Sequence, residues 1–369
     1  MHKHAQSIFP GYNSWVEANK NLSEQPLLDC PDFSERAKRH ENWWKLQNSH
    51  PLFLAKGLFA GEQGRSRHFD KLTHPHEWLI AKQQALKNTL FLADSLPYIH
   101  LDLGASVLAG LLGARVTYED DHAWIAPTFS DWQAQPEMKL DSQNKLSNQL
   151  DRLLKLLIPE LAGKALLMSP NLGGGADALM NLMGAEKICQ SLIDYPEEVH
   201  STLDEIAAVW RAVYANLMDV AARQQVGMIH WCELWSNTPY LLLECELAAL
   251  VSRKHFQQFL APDILGQAET VERTIYHICG EESFRHLDAV LEIPGISAIQ
   301  YVPGKGNRAL NKFDYLKKIQ QHGLPLQIAV SPDEPRDLMK VLDSAGLCFL
   351  VLDALPMDQL ENFTHLATP

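Results

Sequence analysis

Short β-prone segments alternate with helical segments from Lys164 to the end of the chain. Such alternation is typical of a parallel sheet whose strands are covered by helices. About eight strand positions fit within the chain, and the GxGxxG fingerprint of a doubly wound dinucleotide-binding sheet is missing. The sequence therefore predicts an α/β fold, a (β/α)8 TIM barrel over residues 49–369. Residues 1–48 are expected to form a helical extension packed on the barrel.

An acidic composition limits the classes of partner. The chain of 369 residues carries a formal net charge of -13 at pH 7. Nucleic acids and anionic membranes attract clustered Lys and Arg, so neither is expected as a partner. The sequence lacks a signal-peptide pattern and an apolar run of bilayer-spanning length, and its six cysteines are scattered. We expect a cytoplasmic protein that acts on a small-molecule substrate and holds no covalently bound cofactor.

A histidine and a cysteine follow the β-prone run that begins at Arg273. His277 and Cys279 lie two residues apart, so on a strand both side chains point to the same face. An imidazole and a thiolate on one face at the carboxyl end of a strand make half of a zinc site. The alternative is a buried apolar cysteine beside a histidine that is only hydrogen-bonded.

Further ligands would come from neighbouring strands, because the carboxyl ends of barrel strands converge on one pocket. The predicted strand over 241–247 offers Cys245 and Glu246. Adjacent residues point to opposite faces of a regular strand, so only one can reach the pocket unless the strand has already ended. A carboxylate inside an apolar strand is costly unless it is paired, which favours Glu246. Cys348 and Asp353 stay open as further ligands.

The predicted metal set is therefore His277 and Cys279 with Glu246 or Cys245, and His277 and Glu246 are also the candidate catalytic groups. Aromatic and polar side chains near the same strand ends could bind a substrate, although most aromatic residues beside strands belong to the core. The substrate-binding candidates are Asp102, Trp124, Asp177, Trp231, Tyr276, His286, Gln300 and Tyr301.

Four segments carry a resemblance to a known family: SLIDYPEEV, IHWCELW, LLLECELAALVSRKHFQQFLAPDI and IYHICGEESFRHLDAVLEIPGISAIQYVPGKGN. They resemble the uroporphyrinogen decarboxylase-like superfamily, and look closest to its uncharacterised bacterial branch with a YHLDG signature. The resemblance spans 164–352 and, more weakly, 50–132. It implies a (β/α)8 barrel with its active site at the carboxyl face. It also implies either porphyrinogen decarboxylation or zinc-dependent methyl transfer between corrinoid proteins and thiols.

The motifs favour methyl transfer. The decarboxylases carry an arginine-rich MRQAGRY loop, where this chain reads GEQGRSRHF. His277-Ile278-Cys279 resembles the first part of the methyltransferase zinc motif, whereas the second cysteine expected after the last strand is replaced by Asp353 and Ala354. The resemblance implies Zn²⁺ as cofactor and a homodimer. Any corrinoid carrier would be a separate protein, because no corrinoid-binding DxHxxG motif is present.

The predicted function is thus transfer of a methyl group to a metal-activated thiol, from a corrinoid protein or a small methylated donor. One alternative is a lyase or decarboxylase acting on a small organic acid, with Arg65, Arg67 and Arg285 holding carboxylates. Another is a barrel that only binds a ligand, because a fold does not by itself prove chemistry.

Overall fold

The computed structural model describes residues 27, 30–58, 71–105, 107–119, 122–168, 170–222 and 227–367. The strands are β1 (Leu52–Leu58), β2 (Thr89–Ala93), β3 (Tyr98–His100), β4 (Arg115–Glu119), β5 (His122–Ala126), β6 (Leu166–Met168), β7 (Met228–Ile229), β8 (Trp235–Ser236), β9 (Tyr240–Leu243), β10 (Arg273–Cys279), β11 (Ala298–Val302), β12 (Leu326–Ala329) and β13 (Leu347–Pro356).

The helices are α1 (Phe33–Trp44), α2 (Pro75–Lys87), α3 (Val107–Leu111), α4 (Lys145–Leu161), α5 (Gly175–Met183), α6 (Ala185–Asp194), α7 (Pro196–Ala222), α8 (Arg253–His255), α9 (Ala261–Ala268), α10 (Leu287–Leu291), α11 (Phe313–Gln321), α12 (Pro335–Leu338) and α13 (Met357–Ala367). A π-helical turn, Phe256–Leu260, joins α8 to α9. Short 3₁₀ helices cover Trp132–Ala134, Glu246–Leu250, Glu282–His286 and Ala309–Lys312.

The main sheet has seven strands in the order β2-β1-β13-β12-β11-β10-β9. Its last six strands run parallel, and β2 pairs antiparallel with β1. β3 and β6 form a separate parallel pair. The alternation of strands and helices thus gives the predicted α/β fold with a large parallel sheet.

The predicted closed barrel is not observed. Within the described residues the sheet ends at β2 on one edge and at β9 on the other. The sequence predicts a helix over 78–93, but the helix ends at Lys87 and the run TLFLA forms β2. β2 takes the edge of β1 that would have to be shared for the sheet to close.

The first helix packs against the start of the sheet. Trp43 is fully buried, and the Trp44 Nε1–H donates to the Trp235 carbonyl at 3.0 Å. Arg273, the first residue of β10, forms two hydrogen bonds with the Glu41 carboxylate at 2.7 and 2.8 Å, and its guanidinium lies over the Trp44 ring. These contacts attach α1, residues 33–44, to the sheet. The boundary at residue 48 between the helical extension and the barrel stays a prediction.

The alternating run GMIHWCEL over 227–234 predicts a strand, and this prediction is wrong beyond Ile229. Residues 230–234 form a turn in which the Glu233 N–H donates to the His230 carbonyl, and Glu233 has a φ of 59°. A left-handed conformation is unfavourable for a residue with a Cβ. Here the side chain compensates, because the buried Glu233 carboxylate pairs with Lys56 and accepts a hydrogen bond from the Tyr98 hydroxyl at 2.9 Å.

The predicted strand over 241–247 also ends early, at Leu243. Glu246 then starts a 3₁₀ helix, so the alternation expected for Cys245 and Glu246 does not apply.

No helix in the described part of the chain has both the length and the apolar character needed to cross a membrane.

We expect Trp43→Ala to lower the free energy of unfolding by about 3–5 kcal/mol, because it leaves a cavity under α1. Trp124→Ala is the matched control, since Trp124 is 61% exposed; its effect should stay below about 1 kcal/mol. Urea denaturation followed by circular dichroism measures both changes. Equal losses for the two variants would contradict the docking of α1.

Candidate metal centre

Three side chains that can bind a metal meet at the carboxyl end of β10. Glu246, His277 and Cys279 each offer one ligand atom, and these atoms lie within 4.8 Å of one another. Glu246 and Cys279 are exposed, whereas His277 is buried beneath them. No other group of three or more such residues meets this spacing within the described ranges.

A one-way chain of hydrogen bonds orients His277. The Gln327 Nε2–H donates to the Cys232 carbonyl at 2.8 Å, and the Gln300 Nε2–H donates to Gln327 Oε1 at 2.8 Å. Gln300 Oε1 then accepts from His277 Nδ1 at 2.7 Å. Because a carbonyl oxygen can only accept, every amide in this chain has a single possible orientation. His277 must carry its proton on Nδ1, which leaves the Nε2 lone pair free for a ligand.

The His277 ring is also kept neutral. Burial lowers its pKa to about 4, and the Gln300 hydrogen bond acts in the opposite direction. The Trp231 ring meets it edge-on at 4.9 Å between centroids. A neutral imidazole is the form that binds a metal ion. Of the substrate-binding candidates, Gln300 and Trp231 therefore contact His277, and Gln300 fixes its tautomer.

Glu246 is positioned by Asp177 from the first turn of α5. The Asp177 carboxylate accepts the backbone N–H of Glu246 and that of Leu247, both at 2.9 Å. It thereby caps the 3₁₀ helix Glu246–Leu250 at its start. Burial raises the Asp177 pKa to about 6, and the two N–H groups oppose this shift. Asp177 is buried and its carboxylate holds this backbone, whereas its role in binding a substrate stays a prediction.

Arg285 and His286, which follow β10 in the chain, hold the other end of the same 3₁₀ helix. The Arg285 guanidinium donates to the Ala249 carbonyl at 2.6 Å, and the His286 Nε2–H donates to the Ala248 carbonyl at 2.9 Å. The His286 ring stacks on Phe256 with centroids 4.5 Å apart and is 1% exposed. His286 is thus buried and holds backbone, and its role in binding a substrate stays a prediction.

Glu244 is a site residue that the sequence analysis missed. Its carboxylate accepts hydrogen bonds from Asn171 and from Trp231 Nε1, the latter at 2.8 Å. Burial raises its pKa to about 7, opposed by these hydrogen bonds. The sequence does contain a sign of it. Glu244 lies in the same apolar run as Glu246, and an acidic residue in such a run needs a partner.

Cys279 lies next to both carboxylates. Loss of water around the sulfur raises its thiol pKa to about 11, and the charges of Glu246 and Glu244 act in the same direction. Without a cation the thiol is therefore protonated at neutral pH. A bound cation reverses this balance, because it favours the thiolate.

The remaining candidates are not members of the three-residue group. Cys245 precedes the 3₁₀ helix and is not a member, and the buried Cys348 contacts Gln327 Nε2 at 3.5 Å. Tyr276 and Tyr301 are buried in the core. Asp102, Trp124 and Asp353 are exposed. Arg65 and Arg67 lie outside the described residues.

Comparison with known proteins gives a structural likeness. No protein-family model matches the sequence, and no curated protein matches it. Among solved structures, a methyltransferase from Methanosarcina mazei aligns with a TM-score of 0.58 at 14% sequence identity. The alignment covers 90% of this chain and 98% of the other. At this identity the likeness shows a shared fold, and membership of the superfamily or its YHLDG branch stays a prediction.

We expect the metal-free protein to hold His277 as the neutral Nδ1–H tautomer at pH 7, because the hydrogen-bond chain admits no other. Long-range ¹H–¹⁵N correlation on protein labelled at histidine measures this, and His277→Gln assigns the signal. Gln300→Met should release the tautomer preference. A ring protonated on Nε2 in the unaltered protein would contradict the orientation argued here.

Asp177→Ala should lower the free energy of unfolding by about 1–3 kcal/mol, because it leaves two N–H groups without their acceptor. Amide exchange at Glu246 and Leu247 should accelerate in the same variant. Asp204→Ala, an exposed aspartate on α7, serves as control for denaturation in urea. If both variants lose the same stability, Asp177 does not hold the Glu246 helix.

Proposed function

We propose that the protein is a zinc-dependent methyltransferase of the uroporphyrinogen decarboxylase-like superfamily that methylates a thiol. The observation that carries the proposal is the meeting of a carboxylate, an imidazole and a thiol within 4.8 Å of one another at the end of β10. The fold shared with a methyltransferase from Methanosarcina mazei supports it. So does the His-x-Cys spacing of His277 and Cys279.

The three side chains fit Zn²⁺ in kind and in spacing. Oxygen, nitrogen and sulfur are its usual donors, at about 2.0–2.3 Å from the ion. Tetrahedral angles then separate two donors by about 3.3–3.8 Å. The ligand atoms lie within 4.8 Å of one another, which exceeds this separation by about 1–1.5 Å at most, and rotation of the exposed Glu246 and Cys279 side chains can close the difference. Three protein ligands leave a fourth position for a substrate.

Zinc bound here would lower the pKa of a coordinated thiol and so supply a thiolate near neutral pH. The side chains at this site have separate roles. His277 presents Nε2 because Gln300 holds the Nδ1 proton. Glu246 and Cys279 supply the other two donors. Glu244, with a pKa of about 7, can hold or release a proton beside the site.

The resemblance also implies a homodimer and a (β/α)8 barrel, of which the described residues show the large parallel sheet without closure. The scattered cysteines favour a cytoplasmic setting. The methyl donor would be a separate corrinoid protein or a small methylated compound. The lyase alternative loses one of its three arginines, since Arg285 donates to the Ala249 carbonyl. This contact favours methyl transfer over the lyase alternative.

Protein purified without a chelating column should contain about one equivalent of zinc, and Cys279→Ala should lose it. Cys245→Ala should keep the zinc, because Cys245 is outside the three-residue group. Cys189→Ala controls for the loss of a distant thiol. Plasma mass spectrometry measures the metal. Loss of zinc in the Cys245 variant, or no zinc in any variant, would contradict the ligand set.

The activity itself is tested with methylcobalamin as donor and small thiols as acceptors, with the methyl thioether detected by mass spectrometry. The rate should fall at least about a hundredfold in Cys279→Ala and stay near the unaltered rate in Cys189→Ala. Zinc bound by the three residues without any methyl transfer would support a barrel that only binds a ligand.

A further inference from the structure

The turn over 230–234 carries the carbonyl at which the hydrogen-bond chain of the metal centre starts. The peptide group between Cys232 and Glu233 is planar, so its carbonyl and its N–H point in opposite directions. The N–H donates to the His230 carbonyl at 2.7 Å, which closes the turn. The carbonyl accepts from Gln327 Nε2 at 2.8 Å. The orientation of this one peptide group therefore decides whether the chain has a fixed direction.

Glu233 holds that peptide group in an unfavourable backbone conformation. Its φ of 59° lies in the left-handed region, which glycine adopts readily and most other residues do not. Without a compensating contact, the residue would favour a negative φ, and the preceding peptide group would rotate with it. The turn therefore depends on the contacts of the Glu233 side chain.

Those contacts come from two strands that are distant in the sequence. Lys56, on β1, pairs with the Glu233 carboxylate, and the two side chains are 11% and 4% exposed. The Tyr98 hydroxyl, on β3, donates to the same carboxylate oxygen at 2.9 Å and accepts from Lys56 Nζ at 3.0 Å. A buried carboxylate is strongly unfavourable once its cation is removed. Lys56 therefore keeps the carboxylate in place, and with it the backbone of Glu233.

Removing the Cys232 carbonyl from the chain would have a specific consequence for His277. A side-chain amide carries both a donor and an acceptor, so Gln327 and Gln300 can each reverse their amide groups. The carbonyl, which only accepts, is what distinguishes the two directions. In the reversed chain Gln300 would donate to His277 Nδ1, and the ring proton would sit on Nε2. That is the nitrogen whose lone pair a metal ion needs.

We propose that Lys56 is a positioning residue for the metal centre. By pairing with Glu233 it holds the peptide group after Cys232 in place, and this keeps the proton of His277 on Nδ1. Lys56 acts through the backbone and does not contact a metal ion in this role. The benefit for zinc binding rests on the proposed function, whereas the tautomer of His277 does not.

Two double variants that differ by one methyl group test the proposal. Lys56→Met/Glu233→Gly and Lys56→Met/Glu233→Ala both remove the ion pair and leave no unpaired buried charge. Glycine adopts the left-handed conformation without a side-chain contact, whereas alanine disfavours it. In metal-free protein, long-range ¹H–¹⁵N correlation should show the Nδ1–H form of His277 in the glycine variant. The alanine variant should show a mixture with the Nε2–H form.

Zinc affinity should follow the same order. Lys56→Met and the alanine double variant should bind zinc about 10–100-fold more weakly than the unaltered protein, which is the range for losing a partner of a metal ligand. The glycine double variant should restore the affinity. Lys155→Met, which removes an exposed ion pair with Asp151, is the control and should change neither the tautomer nor the affinity.

The Nδ1–H form in both double variants would overturn the proposal, even if the alanine variant is less stable in urea, because Lys56 then has a structural role only. A glycine variant that loses this form or does not fold would overturn it as well. Lys56→Met/Glu233→Asn should give an intermediate mixture, since asparagine tolerates the left-handed region better than alanine, and it replaces an alanine variant that does not fold. If the unaltered protein binds no zinc, the proposed function fails, and the tautomers still decide the role of Lys56.

Discussion

The candidate metal centre depends on a chain of hydrogen bonds that can run in only one direction. The backbone carbonyl of Cys232 has no proton to give, so Gln327 must donate to it and Gln300 must donate to Gln327. The last acceptor in the chain faces His277 Nδ1. The parallel register of β10, β11 and β12 places these three side chains level with one another. Because all are buried, each hydrogen bond is costly to break, and the ring orientation is set before any ligand arrives.

The carboxylate of the site is held by a different device. β9 stops at Leu243, and the 3₁₀ helix Glu246–Leu250 is held at both ends by polar side chains, of which Asp177 and His286 are buried and Arg285 is exposed. Asp177 accepts its first N–H groups, and Arg285 and His286 donate to carbonyls near its end. His286 reaches this helix because the 3₁₀ helix Glu282–His286, which follows Cys279, packs against it. These polar residues thus hold the backbone that carries Glu246.

Local patterns were enough to place some of these features. The two-residue spacing of His277 and Cys279 put them on one face, and the apolar run over 298–302 predicts a strand that β11 confirms. Other features depend on contacts distant in sequence. The run 227–234 has the alternation of a strand, but the chain turns at Glu233, whose carboxylate pairs with Lys56. Periodicity also could not show that His286 is buried, since its position fits the exposed face of a helix equally well.

The central claim is that Glu246, His277 and Cys279 together hold one zinc ion. X-ray absorption at the zinc edge of the zinc-loaded protein tests it most directly, because sulfur and lighter donors scatter differently and at different distances. The account predicts a single sulfur at about 2.3 Å and the remaining donors, nitrogen and oxygen, at about 2.0–2.2 Å. In Cys279→Ala the sulfur shell should vanish. A spectrum with no sulfur, or with a sulfur shell that survives in Cys279→Ala, would contradict the account.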